Sequence, residues 1–203
     1  EGGAICLNLP LPFDNEIIYK QLCIKSLHGQ NKDALTKTQK GNWRYDIVEA
    51  GYKFNMTDIQ AAIGLVELER YENDMLVRRE QIFKLYTNIL SQYKWAHLPL
   101  YEDTIKKSSY HIYLLRIKGI SEQQRDNIMS LIFEKDVSVN VHFIPVPMMS
   151  YYKNLGYNIN NYPVTYNNYC SEITLPVYYN LSDENVKTVA DAVIKSVEQV
   201  INN

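Results

Sequence analysis

Bulk charge of either sign is missing from this 203-residue chain: 21 Lys and Arg nearly balance 23 Asp and Glu, for a formal net charge of −2. That leaves no general attraction to nucleic acid or to anionic membranes, and the basic residues are scattered rather than striped. No apolar run approaches the roughly 20 residues that a membrane span needs. Cysteine is scarce: Cys6, Cys23 and Cys170 form no CxxC pair and no metal-ligand spacing. Each lies in an apolar or mixed pattern, which predicts buried free thiols in a reducing, cytoplasmic setting. There is no GxSxG elbow, no HExxH, no Walker loop and no GxGxxG after a strand, so the common hydrolase, zincin, nucleotidase and dinucleotide signatures are out. Carboxylates are plentiful but spread along helical stretches such as residues 67–74, where a solvated face is the default.

What is present suits a folded protein of one or two domains, with 46% apolar and 22% charged residues. Residues 4–9 read as a buried strand ended by Pro10 and Pro12. Asp14 suits a helix N-cap, with an apolar side continuing to Gly29. Residues 30–48 read as a long polar surface loop carrying Lys32, Lys37 and Lys40, docked near its end by Trp43-Arg44-Tyr45. Helical spacing then runs from Thr57 to about Tyr93; at 1.5 Å per residue this is roughly 55 Å, too long for one small domain. A kink or an inter-domain crossing is expected, with residues 70–74 as the boundary. Beyond it come a strand over 110–117, a helix opened by a Ser121/Gln124 capping box and running to about Glu134, and a strand over 137–144. Pro145 and Pro147 stop that strand. Short helical pieces near 148–155 and 164–172 follow. A last helix is capped by Ser182, with a stripe of Val186, Val189, Val193, Val197 and Val200.

The most informative stretch is Gly51-Tyr52-Lys53-Phe54-Asn55-Met56-Thr57-Asp58-Ile59-Gln60-Ala61-Ala62-Ile63-Gly64. An aromatic-rich turn runs straight into a helix start, where Thr57 and Gln60 can form a capping box. The small residues Ala61, Ala62 and Gly64 would let another backbone approach closely. An ammonium and an amide N–H ahead of a helix N-terminus suit a phosphate dianion; the bland alternative is a tight turn whose Asn caps backbone amides. This segment resembles the signature of the DegT/StrS family of sugar-nucleotide aminotransferases, which use pyridoxal phosphate (PLP) on the fold-type-I, aspartate-aminotransferase scaffold.

The resemblance implies that Asn55 and Lys53 bind the cofactor phosphate of the neighbouring subunit. A common family version has Asn where Lys53 stands and Arg where Asn55 stands, so which of the two makes the contact is open. In the family, a Glu-Gly-Gly like Glu1-Gly2-Gly3 follows shortly after the lysine that forms the Schiff base. The resemblance therefore implies a chain starting just downstream of that lysine, carrying no catalytic residue of this class and inactive alone. The implied fold is α/β to α+β: residues 1–72 as the remainder of the PLP-binding large domain, and 73–203 as the small C-terminal α+β domain. They would be joined by a long helix from about 57 to 93.

His142, in Val139-Asn140-Val141-His142-Phe143-Ile144-Pro145, matches a family His-aromatic-x-Pro segment beside the substrate pocket. A neutral imidazole both donates and accepts hydrogen bonds, which suits a sugar; a lone His on a strand is otherwise a satisfied structural residue. His142, Phe143 and Tyr52 are thus the substrate-contact candidates. His28 and His111 have family counterparts and read as structural, while His97 carries no signal. The implied activity moves an amino group from an amino acid such as glutamate to a nucleotide-linked keto-sugar, as in polysaccharide biosynthesis. The implied assembly is a cytoplasmic homodimer with shared sites and no nucleic-acid, membrane or metal partner. The alternatives are a PLP-dependent sugar dehydratase of the same family, or a non-catalytic protein-binding or regulatory module.

Overall fold

The computed structural model describes residues 2–31 and 44–202. The chain divides into two compact units, Glu1–Glu69 and Arg70–Asn203.

In the first unit, α1 (Asn15–Ser26) begins where the Asp14 carboxylate accepts the backbone N–H groups of Glu16 and Ile17, two donors that a helix start otherwise leaves unpaired. The helix stops at Ser26 rather than continuing to Gly29, because His28 and Gly29 turn into the left-handed region with φ of 59° and 76°. Both feet of the 30–48 loop are zipped together: Asn31 N–H donates to Asp46 O, and Val48 N–H to Gly29 O. The lysines expected in that loop, and Trp43, lie outside the described residues. α2 (Asp58–Arg70) opens on the expected box, with the Gln60 N–H on Thr57 Oγ1 and the Thr57 N–H on Gln60 Oε1.

Two expectations in this unit are corrected. Residues 4–9 form no strand, and Ile5 stays exposed. A strand is defined by its partner, and among the described residues none pairs with this segment; Leu9 instead exchanges hydrogen bonds with the Asn15 side chain. Cys6 and Cys23 are exposed and Cys170 half-buried, not buried as read from their apolar neighbours; α1, which carries Cys23, buries no residue at all.

Helical hydrogen bonding continues through a five-residue π segment, Tyr71–Met75, into α3 (Leu76–Leu90). Within the stretch 57–93, where a kink or an inter-domain crossing was expected, the chain carries this wider turn. Arg70 and Asp74 pair at 2.9 Å across it, and the Tyr179 hydroxyl donates to Asp74 at 2.6 Å. The helix ends at Leu90 rather than 93.

The second unit is built on one antiparallel sheet in the order β1 (Ala96–His97), β2 (Tyr113–Ile117), β3 (Glu172–Leu175). Tyr113, Leu115 and Ile117 point into the core, as do Ile173 and Leu175 beside them. α3, α4 (Glu122–Phe133) and α7 (Asp183–Ile201) supply the other side of that core. α7 buries Val186, Val189, Val193 and Val197, four positions of the predicted stripe. α4 has the full Ser121/Gln124 capping box.

The expected strand over 137–144 does not form. Asn140 makes one isolated bridge to Thr174, and the rest crosses the sheet edge as irregular chain before two short turns of helix, Val146–Met148 and α5 (Ser150–Asn154). Alternating β-branched residues favour a pleated surface, but a single bridge is all the pairing this segment finds. α6 (Pro163–Tyr169) then leads into β3.

Candidate functional site

The phosphate-candidate turn is sewn onto the end of α1. Tyr52 N–H donates to Lys25 O, Phe54 and Asn55 N–H to Ser26 O, and His28 N–H to Tyr52 O. Carbonyls that a helix C-terminus leaves unpaired thus become the anchor of the turn. His28 takes part through its backbone. Two glycines permit the approach: a Cβ on Gly51 would lie 2.1 Å from Gly29 N, and one on Gly29 would lie 1.8 Å from Glu49 O.

On this platform the Lys53 ammonium donates to Asn55 Oδ1, so the two predicted phosphate ligands sit side by side. Both are exposed, and among the described residues no carboxylate pairs with Lys53. The turn ends two residues before α2, whose N-terminus adds positive potential. Tyr52 stacks on Phe54 with ring centroids 4.8 Å apart. Together they wall an apolar cavity of about 440 Å³ with Ile5, Leu7, Tyr19 and Leu22.

His142 and Phe143 belong to the other unit. They line a cavity of about 450 Å³ on the outer face of the sheet, with Leu114, Arg116, Tyr169 and Glu172. Register explains the gathering: His97 pairs with Arg116 and Arg116 with Glu172, so the three sit in one row across the strands. The Arg116 guanidinium bonds His97 Nε2 at 2.6 Å and the Asn168 side-chain oxygen. Burial and the neighbouring Arg116 and Lys118 charges hold the His97 pKa down, which favours the neutral ring that can accept from Arg116. His111 is exposed, and its carbonyl accepts from Arg79.

Glu172 is 5% exposed. Burial pushes its carboxyl pKa up, against the Thr174 hydroxyl, the His142 N–H and the Arg125 charge, which favour the ionised form. Arg125 is itself buried, donates to the carbonyls of Tyr169 and Glu172, and lies 4.8 Å from the Tyr169 ring.

Sequence reading did not single out Arg116, Glu172, Thr174 or Asn168. The signal available was a charged residue inside the apolar run Tyr113–Ile117 and an acid directly before Ile173-Thr174-Leu175. Among the described residues, no three His, Cys, Asp or Glu gather as a metal site, and no helix is long and apolar enough to cross a membrane.

The DegT/DnrJ/EryC1/StrS aminotransferase family model matches residues 1–194. The spore coat polysaccharide biosynthesis protein SpsC of Bacillus subtilis is 35% identical over 197 residues, which is 95% of this chain and 49% of SpsC. The UDP-4-amino-4,6-dideoxy-N-acetyl-beta-L-altrosamine transaminase of Campylobacter jejuni is 26% identical, over 98% of this chain and 49% of its own length. Among solved structures, the sugar aminotransferase Spr1654 of Streptococcus pneumoniae in its PMP-form superposes with a TM-score of 0.87 at 40% identity, over 95% of this chain and 48% of that one. The chain spans about half the length of the curated relatives it matches. The mixed helices and small sheet are thus part of the fold-type-I aminotransferase architecture, as the resemblance implied. A match along nearly the whole sequence and a close superposition lead to one conclusion: the chain belongs to the DegT/DnrJ/EryC1/StrS aminotransferase family.

Proposed function

We propose that this chain works as the C-terminal part of a PLP-dependent aminotransferase, one that moves an amino group from an amino acid such as glutamate to a nucleotide-linked keto-sugar. The family match over residues 1–194 carries the reading. The names of the Campylobacter and Bacillus relatives support a sugar substrate, and the PLP- and PMP-forms of Spr1654 support the cofactor.

The turn fits the cofactor's phosphate by its donor set. Lys53 keeps two N–H groups beyond the one given to Asn55, the Asn55 amide N–H groups add to them, and no described carboxylate competes. When bound, PLP supplies the electron sink for amino transfer. Lys53 and Asn55 hold its phosphate, and the turn serves the site of the second subunit in a homodimer with shared sites. Tyr52, His142 and Phe143 contact the sugar nucleotide. The half of the relatives' length that this chain does not span carries the remaining site residues, so the chain alone is inactive. The enzyme works in the cytoplasm.

The test uses the complete enzyme. A hydrogen bond to a charged group contributes roughly 1.5–3 kcal/mol, so Asn55→Ala is expected to weaken PLP retention about tenfold to a hundredfold. Lys53→Ala does the same if the ammonium is the partner. Retention is read from cofactor absorbance after gel filtration, and the product by mass spectrometry. Unchanged retention in both variants removes the turn from the cofactor site. A dehydrated rather than aminated sugar makes the enzyme a dehydratase.

A further inference from the structure

Thr174 and Glu172 lie on β3, on the face that carries Leu114 and Arg116 of β2. The chain leading to His142 is pinned against them, with Thr174 N–H donating to Asn140 O at 2.7 Å and Asn140 N–H returning to Thr174 O at 3.2 Å. Both Glu172 carboxylate oxygens are engaged: Oε2 accepts the His142 backbone N–H at 3.0 Å, and Oε1 accepts the Thr174 hydroxyl at 2.5 Å. The same hydroxyl oxygen lies 2.9 Å from His142 Nδ1.

The proton count decides the rest. Above the pH at which Glu172 ionises, its carboxylate only accepts, and a threonine hydroxyl has one proton. If Thr174 gives that proton to Glu172, only a lone pair remains for His142, so Nδ1 must carry the hydrogen. The opposite polarity would point the Thr174 proton at a bare Nδ1 and leave a buried carboxylate oxygen without its donor, which is the costlier arrangement. The tautomer of a histidine follows the hydrogen bond made by one of its nitrogens.

We propose that Glu172 and Thr174 are positioning residues that lock His142 in the Nδ1–H tautomer, so that Nε2 meets a ligand only as a hydrogen-bond acceptor. Nε2 has no partner among the described residues, and the ring lines the cavity shared with Phe143, Arg116 and Tyr169. The group it takes carries its own proton: a sugar hydroxyl or the N–H of an acylamino group, and not a phosphate oxygen. That choice of ligand rests on the proposed sugar-nucleotide function; the tautomer does not.

The experiment is a long-range ¹H–¹⁵N correlation spectrum of the histidine-labelled chain, recorded about two pH units above the ordinary imidazole pKa of ~6.5. His142→Gln assigns one signal set among the four histidines. The expected wild-type spectrum shows a protonated Nδ1 and a bare Nε2 for His142. Thr174→Ser keeps the hydroxyl and the signature, whereas Thr174→Val loses it and moves the ring to Nε2–H. A wild-type His142 protonated at Nε2 overturns the proposal, as does a folded Thr174→Val that keeps the wild-type pattern. Should the Val variant not fold, the wild-type and Ser spectra decide. An Nδ1–H His142 in an enzyme that aminates no sugar sinks the function and spares the tautomer. An Nε2–H His142 in an active sugar aminotransferase does the reverse.

Discussion

Glu172 is a carboxylate in surroundings that oppose its charge. Burial raises its pKa, and the Thr174 hydroxyl, the His142 N–H and the Arg125 charge only partly offset that rise. An acid whose folded pKa lies above its unfolded value binds more protons folded than unfolded. Its contribution to stability is therefore present below the unfolded pKa and lost as pH rises through the folded one. Gln carries no such titration. Urea midpoints of wild type and Glu172→Gln, compared from mildly acidic to neutral pH, are expected to diverge with the wild type losing ground as pH rises. The slope is diagnostic rather than the absolute gap, because Gln also presents an N–H₂ where both oxygens accepted. Parallel curves, or wild type gaining as pH rises, would show that the local donors outweigh burial.

At the scale of elements, what was readable in the sequence follows the reach of the interactions. The caps at Asp14, Thr57/Gln60, Ser121/Gln124 and Ser182 are settled within three residues, and all four form. Lys53 and Asn55 meet across two positions for the same reason. The strands assigned to 4–9 and 137–144 failed because alternation describes a face but not a partner. β3 went unseen because its buried Glu172 and Thr174 break the apolar pattern. The His142 cavity draws on β1-adjacent chain, β2, α6 and β3, a gathering that only the sheet register brings about.

Glycines separate two elements in a testable way. Around Gly64, in α2, a Cβ would meet nothing within 4 Å, so Gly64→Ala should stabilise that helix by about 0.5–1 kcal/mol. At Gly51 the Cβ would meet the Gly29 backbone, and overpacking of this kind costs about 1–3 kcal/mol. Hydrogen exchange is expected to show slower α2 amides in Gly64→Ala. In Gly51→Ala it should show faster Tyr52 and Phe54 amides, since their bonds to Lys25 and Ser26 must open. Unchanged Tyr52 and Phe54 protection in Gly51→Ala would mean that the turn does not depend on close backbone approach.

Across the molecule, apolar burial is uneven. Arg70–Asn203 has a continuous core, whereas the described part of the first unit buries only Gly29. α2 makes the contrast sharpest: Ile59, Ile63 and Val66 form one exposed stripe and Leu65 and Leu68 another, with Ile59 at 76% and Leu68 at 70% exposure. A helix that is apolar around its circumference is one built for an interior, and contiguous apolar patches beyond a few hundred Å² mark association surfaces. The chain is therefore expected to self-associate. Its sedimentation mass should rise with concentration, and it should bind a hydrophobic dye while the core of the second unit stays folded. Ile63→Glu with Leu68→Glu, one charge in each stripe, should lower both signals and leave the urea midpoint of the second unit where it was. A wild-type chain that sediments as a monomer at every concentration and takes up no dye would mean that α2 tolerates water on all sides. The small residues Ala61, Ala62 and Gly64 would then have no neighbour to accommodate.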